Sequence, residues 1–188
     1  MTSATRSLCV YCGARPGTDP AYAAAADAMG AELGKRGWRL VYGAGDVGIM
    51  GLLANAAKEA GADTFGVIPE HLVHMEVGKT DLDRYIVTET MHERKKVMFM
   101  NADAIAILPG GAGSLDEFFE VLTWAQIGLH GKPIVLVNIA GYWDPLVALI
   151  DHVITQGFAA SSLKDLFRVA DTVEACFDTL NEMLSETA

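Results

Sequence analysis

Six short apolar runs, each closing on turn residues and each followed by helical spacing, set the tightest limit on how this chain can fold. They are Ser7 to Cys12, Trp38 to Tyr42, Thr64 to Ile68, Tyr85 to Val87, Ala104 to Leu108 and Ile134 to Val137. Runs that stay apolar instead of alternating belong to strands buried on both faces, the mark of a parallel sheet covered by helices. Helices are expected between them at about Ala21 to Lys35, Ile49 to Ala60, Met91 to Met100, Leu115 to Leu129, Pro145 to Gln156 and Val173 to Ser185. The fold class is therefore α/β: a single doubly wound, Rossmann-like domain over residues 1–188, with a parallel sheet flanked by helices. A length of 188 residues suits one such domain and is short for two.

The longest connection, from His71 to Asp83, has no clear period and reads as a lid or an oligomer contact. Fourteen basic residues against 24 acidic ones give a formal net charge of −10, which argues against a nucleic-acid or anionic-membrane surface. An anionic ligand must then be met locally, by a few placed cations or backbone amides. The first dozen residues are too short in apolar character for a signal peptide, and no apolar run is long enough to span a bilayer, so a cytoplasmic location is expected. Cys9 and Cys12 are separated by an odd number of residues in a strand. Their side chains point to opposite faces, which suits core packing and not a shared metal or disulfide.

In a doubly wound sheet, ligands bind beyond the carboxyl ends of the strands, where helix N-termini offer unpaired N–H groups. Three such ends are rich in small residues: Cys12 to Gly17, Gly43 to Gly51 and Pro109 to Ser114. The second satisfies G-x-G-x-x-G with Gly43, Gly45 and Gly48, but it lies in the second strand–helix unit, where a dinucleotide fingerprint is out of place. A tight turn with close helix–strand packing is the plainer explanation. In the third, Ser114-x-x-Glu117 has the form of a capping box, which would start the helix after the serine. A cap alone does not call for Gly110-Gly111-Ala112-Gly113, whereas backbone amides wrapped around a phosphate do. Asp116 or Glu117 beside that phosphate could orient ribose hydroxyls, activate water or stabilise an oxocarbenium-like centre. Complementary cations lie in Met91-His-Glu-Arg-Lys-Lys96, where Arg94 and Lys95 can both face the strand ends. His92 is expected to pack or hydrogen-bond, and no residue set with metal-ligand spacing surrounds it.

Together, VYGAGDVGIMG (41–51), MHERK (91–95), PGGAGSLDE (109–117) and EVLTWAQIGLHGKP (120–133) resemble the LONELY GUY (LOG) family. Its members are cytokinin riboside 5′-monophosphate phosphoribohydrolases, and many relatives carry an older lysine decarboxylase label. The resemblance implies hydrolysis of the N-glycosidic bond of an adenine-type nucleoside 5′-monophosphate to free base and ribose 5-phosphate, with no cofactor and no metal. It implies Arg94 and Glu117 as the catalytic pair. Gly110, Gly111, Ala112, Gly113, Ser114, Leu115 and Asp116 would cradle phosphate and ribose, and Glu76, Lys95, Thr123, Gly43 and Gly45 would line the nucleotide site. It also implies a homodimer in which the helices around Met91 to Met100 and Leu115 to Leu129 build the active site near the interface.

The chain departs from the family pattern at Ser114, where threonine is usual, at Ala44, where glycine is common, and at Ala14-Arg15, where serines are frequent. Arg15 then offers the first loop a cation of its own. Whether Arg94 clamps phosphate or stabilises the departing base stays open, as does the preference between AMP and a prenylated nucleotide. The competing reading from another class is a non-catalytic nucleotide-binding module with the same loops. Lysine decarboxylation ranks below both, since it requires a Schiff-base lysine and a pyridoxal scaffold.

Overall fold

A computed structural model of the chain describes residues 5–73 and 78–186. The strands are β1 (Ser7–Tyr11), β2 (Arg39–Tyr42), β3 (Thr64–Pro69), β4 (Arg84–Thr88), β5 (Ala104–Ile107), β6 (Ile134–Val137) and β7 (Arg168–Ala170). The helices are α1 (Pro20–Arg36), α2 (Gly48–Glu59), α3 (Met91–Met100), α4 (Ala112–Gln126), α5 (Asp144–Thr155) and α6 (Val173–Glu186). All seven strands join one parallel sheet in the order β4-β3-β2-β1-β5-β6-β7.

Alternation along the inner strands divides the core into two layers. Leu8, Val10, Ala104, Ala106, Val135 and Val137 pack with α1, α2 and α6, while Cys9, Ile105, Ile107, Ile134 and Leu136 pack with α3, α4 and α5. Both faces are covered, which is why the strands read as unbroken apolar runs. Cys9 and Cys12 fall into opposite layers, as the odd spacing requires. Helix α1 sits unusually close to α2: a Cβ on Gly34 would lie 2.3 Å from the carbonyl oxygen of Ala60, and one on Gly30 2.5 Å from the backbone nitrogen of Ala57.

Two features differ from the sequence expectation. Strand β7 was not legible, because it is three residues long with Arg168 and Val169 exposed at the sheet edge. Helix α4 begins at Ala112, three residues before Leu115. The capping-box reading fails with it: Gly111 occupies the cap, and Ser114 lies inside the first turn. The order of strands places the topological switch between β1 and β5, since the chain leaves β1 towards β2 and returns to the other side of β1 at β5. The loops after those two strands diverge there, linked by the Gly13 N–H to the Pro109 carbonyl at 3.1 Å.

Candidate active site

The chain beyond β5 turns at Gly110 and Gly111 directly into α4. Gly111 has an extended conformation and no side chain with which to cap, and the first helical bond runs from the Leu115 N–H to its carbonyl at 3.1 Å. The N–H groups of Ala112, Gly113 and Ser114 thus have no partner within the helix, and the positive end of the helix dipole is open beside the switch point. Gly110 is obligatory for packing, since a Cβ there would lie 2.0 Å from Ser114 Oγ and 2.9 Å from the Gly13 nitrogen. Tyr142 fixes the same turn from α5's side by donating its hydroxyl to the Gly110 carbonyl at 2.6 Å.

A cleft of about 160 Å³ opens against this helix end, with walls that include Tyr11, Cys12, Gly43, Arg94, Ser114 and Glu117. Glu117, one turn and a half into α4, is 9% exposed, and Arg94, in the first turns of α3, is 4% exposed. A carboxylate and a guanidinium so far out of water are costly to bury, so their convergence on one cleft is informative. Arg94 is locked by the backbone: Nε donates to the Val67 carbonyl at 3.1 Å and Nη2 to the Gly43 carbonyl at 2.7 Å. The guanidinium passes where a side chain at residue 43 would be, 2.1 Å from an ideal Cβ. Helix α3 is itself fixed by a capping box between Thr90 and Glu93, so its first turn is rigid. Tyr11 adds a buried phenol to the same wall. Burial first, and then the neighbouring Cys9 and Glu117, push its pKa well above the usual tyrosine value.

Other expected residues take different places. Lys95 is buried, but its ammonium is paired with Asp116 at 2.9 Å and Glu120 at 3.0 Å, tying α3 to α4. Burial opposes its charge, the two carboxylates outweigh that, and the net shift of its pKa is upward. Asp116 lines the cleft while holding Lys95, and Gly113 lies on the cleft wall beside it. Leu115 packs partly into the α3–α5 layer, and Ala112 is exposed at the helix start. Thr123 is exposed on α4, two turns beyond Asp116 and outside the cleft wall, and Glu76 lies outside the described residues.

The G-x-G-x-x-G segment is not arranged for a pyrophosphate. Gly43 makes room for Arg94, Gly45 forms an antiparallel bridge with Gly78, and the Ala14 backbone presses on Gly48 at 2.4 Å from an ideal Cβ. Protein atoms thus occupy the space beside Gly43 and Gly48. Arg15 lines a neighbouring apolar cleft that shares Gly13, Ala14 and Gly111 with the first. Among the described residues, no three His, Cys, Asp or Glu side chains converge as a metal set, and no helix is long and apolar enough to cross a membrane.

Two residues that carry the site's geometry were not foreseen. Lys79 is 7% exposed and pairs with Asp46 at 3.2 Å and Asp81 at 3.1 Å, pinning the end of the long connection to the loop after β2. Tyr11 was visible only as one apolar residue of the run Ser7 to Cys12.

Comparison with known proteins identifies relatives of the chain. A family model described as "Possible lysine decarboxylase" matches residues 50–180. The cytokinin riboside 5′-monophosphate phosphoribohydrolase LOG of Oryza sativa subsp. japonica is 41% identical over 181 residues, 96% of this chain and 75% of that protein. The cytokinin riboside 5′-monophosphate phosphoribohydrolase LOG7 of Arabidopsis thaliana is 39% identical over 189 residues, covering 95% and 87% of the two chains. Among solved structures, the Moco carrier protein of Chlamydomonas reinhardtii superposes with a TM-score of 0.73 over 97% of this chain and 99% of that one, at 21% identity, a likeness of fold.

Proposed function

The chain belongs to the LOG family, and from that premise we propose that it is a phosphoribohydrolase acting on cytokinin riboside 5′-monophosphates, with AMP as a second substrate. The observation that carries the reading is the convergence of buried Glu117 and buried Arg94 on a cleft walled by the open N-terminus of α4. The 5′-phosphate sits against the N–H groups of Ala112, Gly113 and Ser114, which serve an anion without requiring a lysine. Arg15 stands at the edge of that loop as an additional cation.

With the phosphate there, the ribose lies over the second turn of α4. The C1′–N bond to the base breaks, positive charge develops on the ribose ring, and Glu117 stabilises it or orients the water whose oxygen adds to C1′. The proton lost by that water balances the one gained by the departing base. Arg94, with two donors committed to backbone carbonyls, presents a fixed charge and a fixed plane to the nucleotide. Asp116 and Lys95, joined to each other, shape the wall, with Gly43 and Gly45 supporting it from the loop after β2.

We place Thr123 at the nucleotide through assembly of two copies. Thr123 follows Phe119 on the exposed side of α4, and Ile127, one turn further on, is exposed as well. A homodimer burying this surface brings the second copy to the mouth of the cleft. The lysine decarboxylase description of the family gains no support from the site: Lys79 and Lys95 are each held by two carboxylates, a poor state for a Schiff-base nucleophile.

The test is release of free base from isopentenyladenosine 5′-monophosphate and from AMP, followed chromatographically with the matching nucleosides as controls. Release from the nucleotides and not the nucleosides supports the reading. Bound nucleotide without release favours the binding module, and cadaverine formed from lysine with pyridoxal phosphate would reinstate the older description.

A further inference from the structure

The loop that anchors Arg94 is held from its far side by Lys79. Arg94 Nη2 donates to the Gly43 carbonyl at 2.7 Å. The next residue, Ala44, is fully buried with φ of 56°, a left-handed conformation that a Cβ makes unfavourable, so the surrounding contacts must impose it. Those contacts come from one short segment. The Lys79 N–H donates to the Ala44 carbonyl at 2.9 Å, Gly78 bridges Gly45, and Lys79 Nζ meets Asp46 at 3.2 Å. Three consecutive residues after Gly43 are thus each gripped by Gly78 or Lys79. The far end of the grip is tied down in turn, because Asp81 binds both Lys79 and Lys58.

We infer that Lys79 is a positioning residue for Arg94: its ion pair with Asp46 and its backbone bond to Ala44 hold the strained loop in the shape that aims the Gly43 carbonyl at the guanidinium. Lys79 is absent from the cleft wall and acts only through that loop. A buried lysine that merely filled space would affect stability and leave the guanidinium's motion alone. The inference rests on the phosphoribohydrolase reading for its effect on rate, though not for its effect on Arg94 itself.

Lys79→Met removes the charge and keeps the stem, Lys79→Arg keeps the charge, and Asp46→Asn removes the partner at a side chain 37% exposed, serving where Lys79→Met does not fold. Each is assayed for base release from a nucleoside 5′-monophosphate and, after 15N-arginine labelling, for the guanidinium signals of Arg94, identified by their loss in Arg94→Lys. Lys79→Met is expected to lower kcat roughly 10- to 100-fold with KM within about threefold of wild type, as for a misplaced catalytic group. Lys79→Arg should recover most of that loss, and the Arg94 Nη signals, distinct in the wild type, should average in Lys79→Met. Unchanged kcat in both Lys79→Met and Asp46→Asn, or a lowered kcat with an unaltered Arg94 spectrum, would overturn the inference. A wild-type protein that releases no base would refute the function and leave the spectra to decide the positioning role.

Discussion

Replacing Gly43 by alanine changes one methyl group and tests whether the locked geometry of Arg94 matters. Residue 43 is not in the left-handed region, so alanine meets no backbone penalty there. The whole effect is steric: the new Cβ would stand 2.1 Å from Arg94 Nη2, 3.0 Å from Cζ and 3.3 Å from the Met50 sulfur. A non-bonded C···N contact needs about 3.4 Å, so the guanidinium must retreat by about 1 Å and give up its bond to the Gly43 carbonyl. Loss of a buried hydrogen bond from a charged donor is worth about 1.5–3 kcal/mol. For a domain of this length that lowers Tm by roughly 3–12 °C. A 1 Å displacement of a catalytic group costs roughly 100-fold in rate, so kcat should fall far more than stability implies, with the variant still folded. Scanning calorimetry and steady-state base release check the two halves of the prediction. A Gly43→Ala protein with wild-type kcat would refute the claim that Arg94 works only in its observed seat.

Three further outcomes are expected. His130 donates from Nε2 to the Val121 carbonyl at 2.9 Å and accepts the Lys132 N–H at Nδ1 at 3.1 Å, and burial lowers its pKa from 6.5. A base depressed in the folded state contributes stability that is present above pH 6.5 and is lost as pH falls towards its folded value, so Tm should decline below that pH, and His130→Gln should flatten the decline. Gly34→Val should lower Tm by at least about 2 °C in a thermal melt, because overpacking costs about 1–3 kcal/mol or more where the opposing atoms are backbone. For the homodimer proposed above, Phe119→Asp combined with Ile127→Glu, at residues 38% and 64% exposed, should give a monomer in light scattering and reduce base release with it.

The apolar runs made the layers legible, since residues such as Ile105 and Ala106 must each find a covered face. The basic cluster and the glycine-rich acidic loop were readable because they stand out in an acidic chain, while Arg94 and Glu117 were singled out within them by the resemblance to the LOG family. The start of α4 was not, because Ser114 and Glu117 have the spacing of a cap while Gly111, which cannot cap through a side chain, holds the position. Lys95 looked like a cation for a ligand, and only the fold reveals Asp116 and Glu120 closing on it from the next helix. Lys79 and Asp46 lie 33 residues apart in segments with no periodicity, so nothing local announced their contact. The G-x-G-x-x-G segment is the close-packed turn expected of it: the Arg94 guanidinium and the Ala14 backbone occupy the space beside Gly43 and Gly48.

We propose that this cleft breaks a base–ribose bond with the help of the Glu117 carboxylate. It is tested most directly by single-turnover release of free base from isopentenyladenosine 5′-monophosphate, with nucleotide binding measured in parallel, for wild type and Glu117→Gln. The wild type should give equal amounts of base and ribose 5-phosphate, and the variant should still bind but release base at least about 100-fold more slowly, the loss typical of removing one electrostatic stabiliser. Equal rates from the two proteins, or binding without release by the wild type, would contradict it.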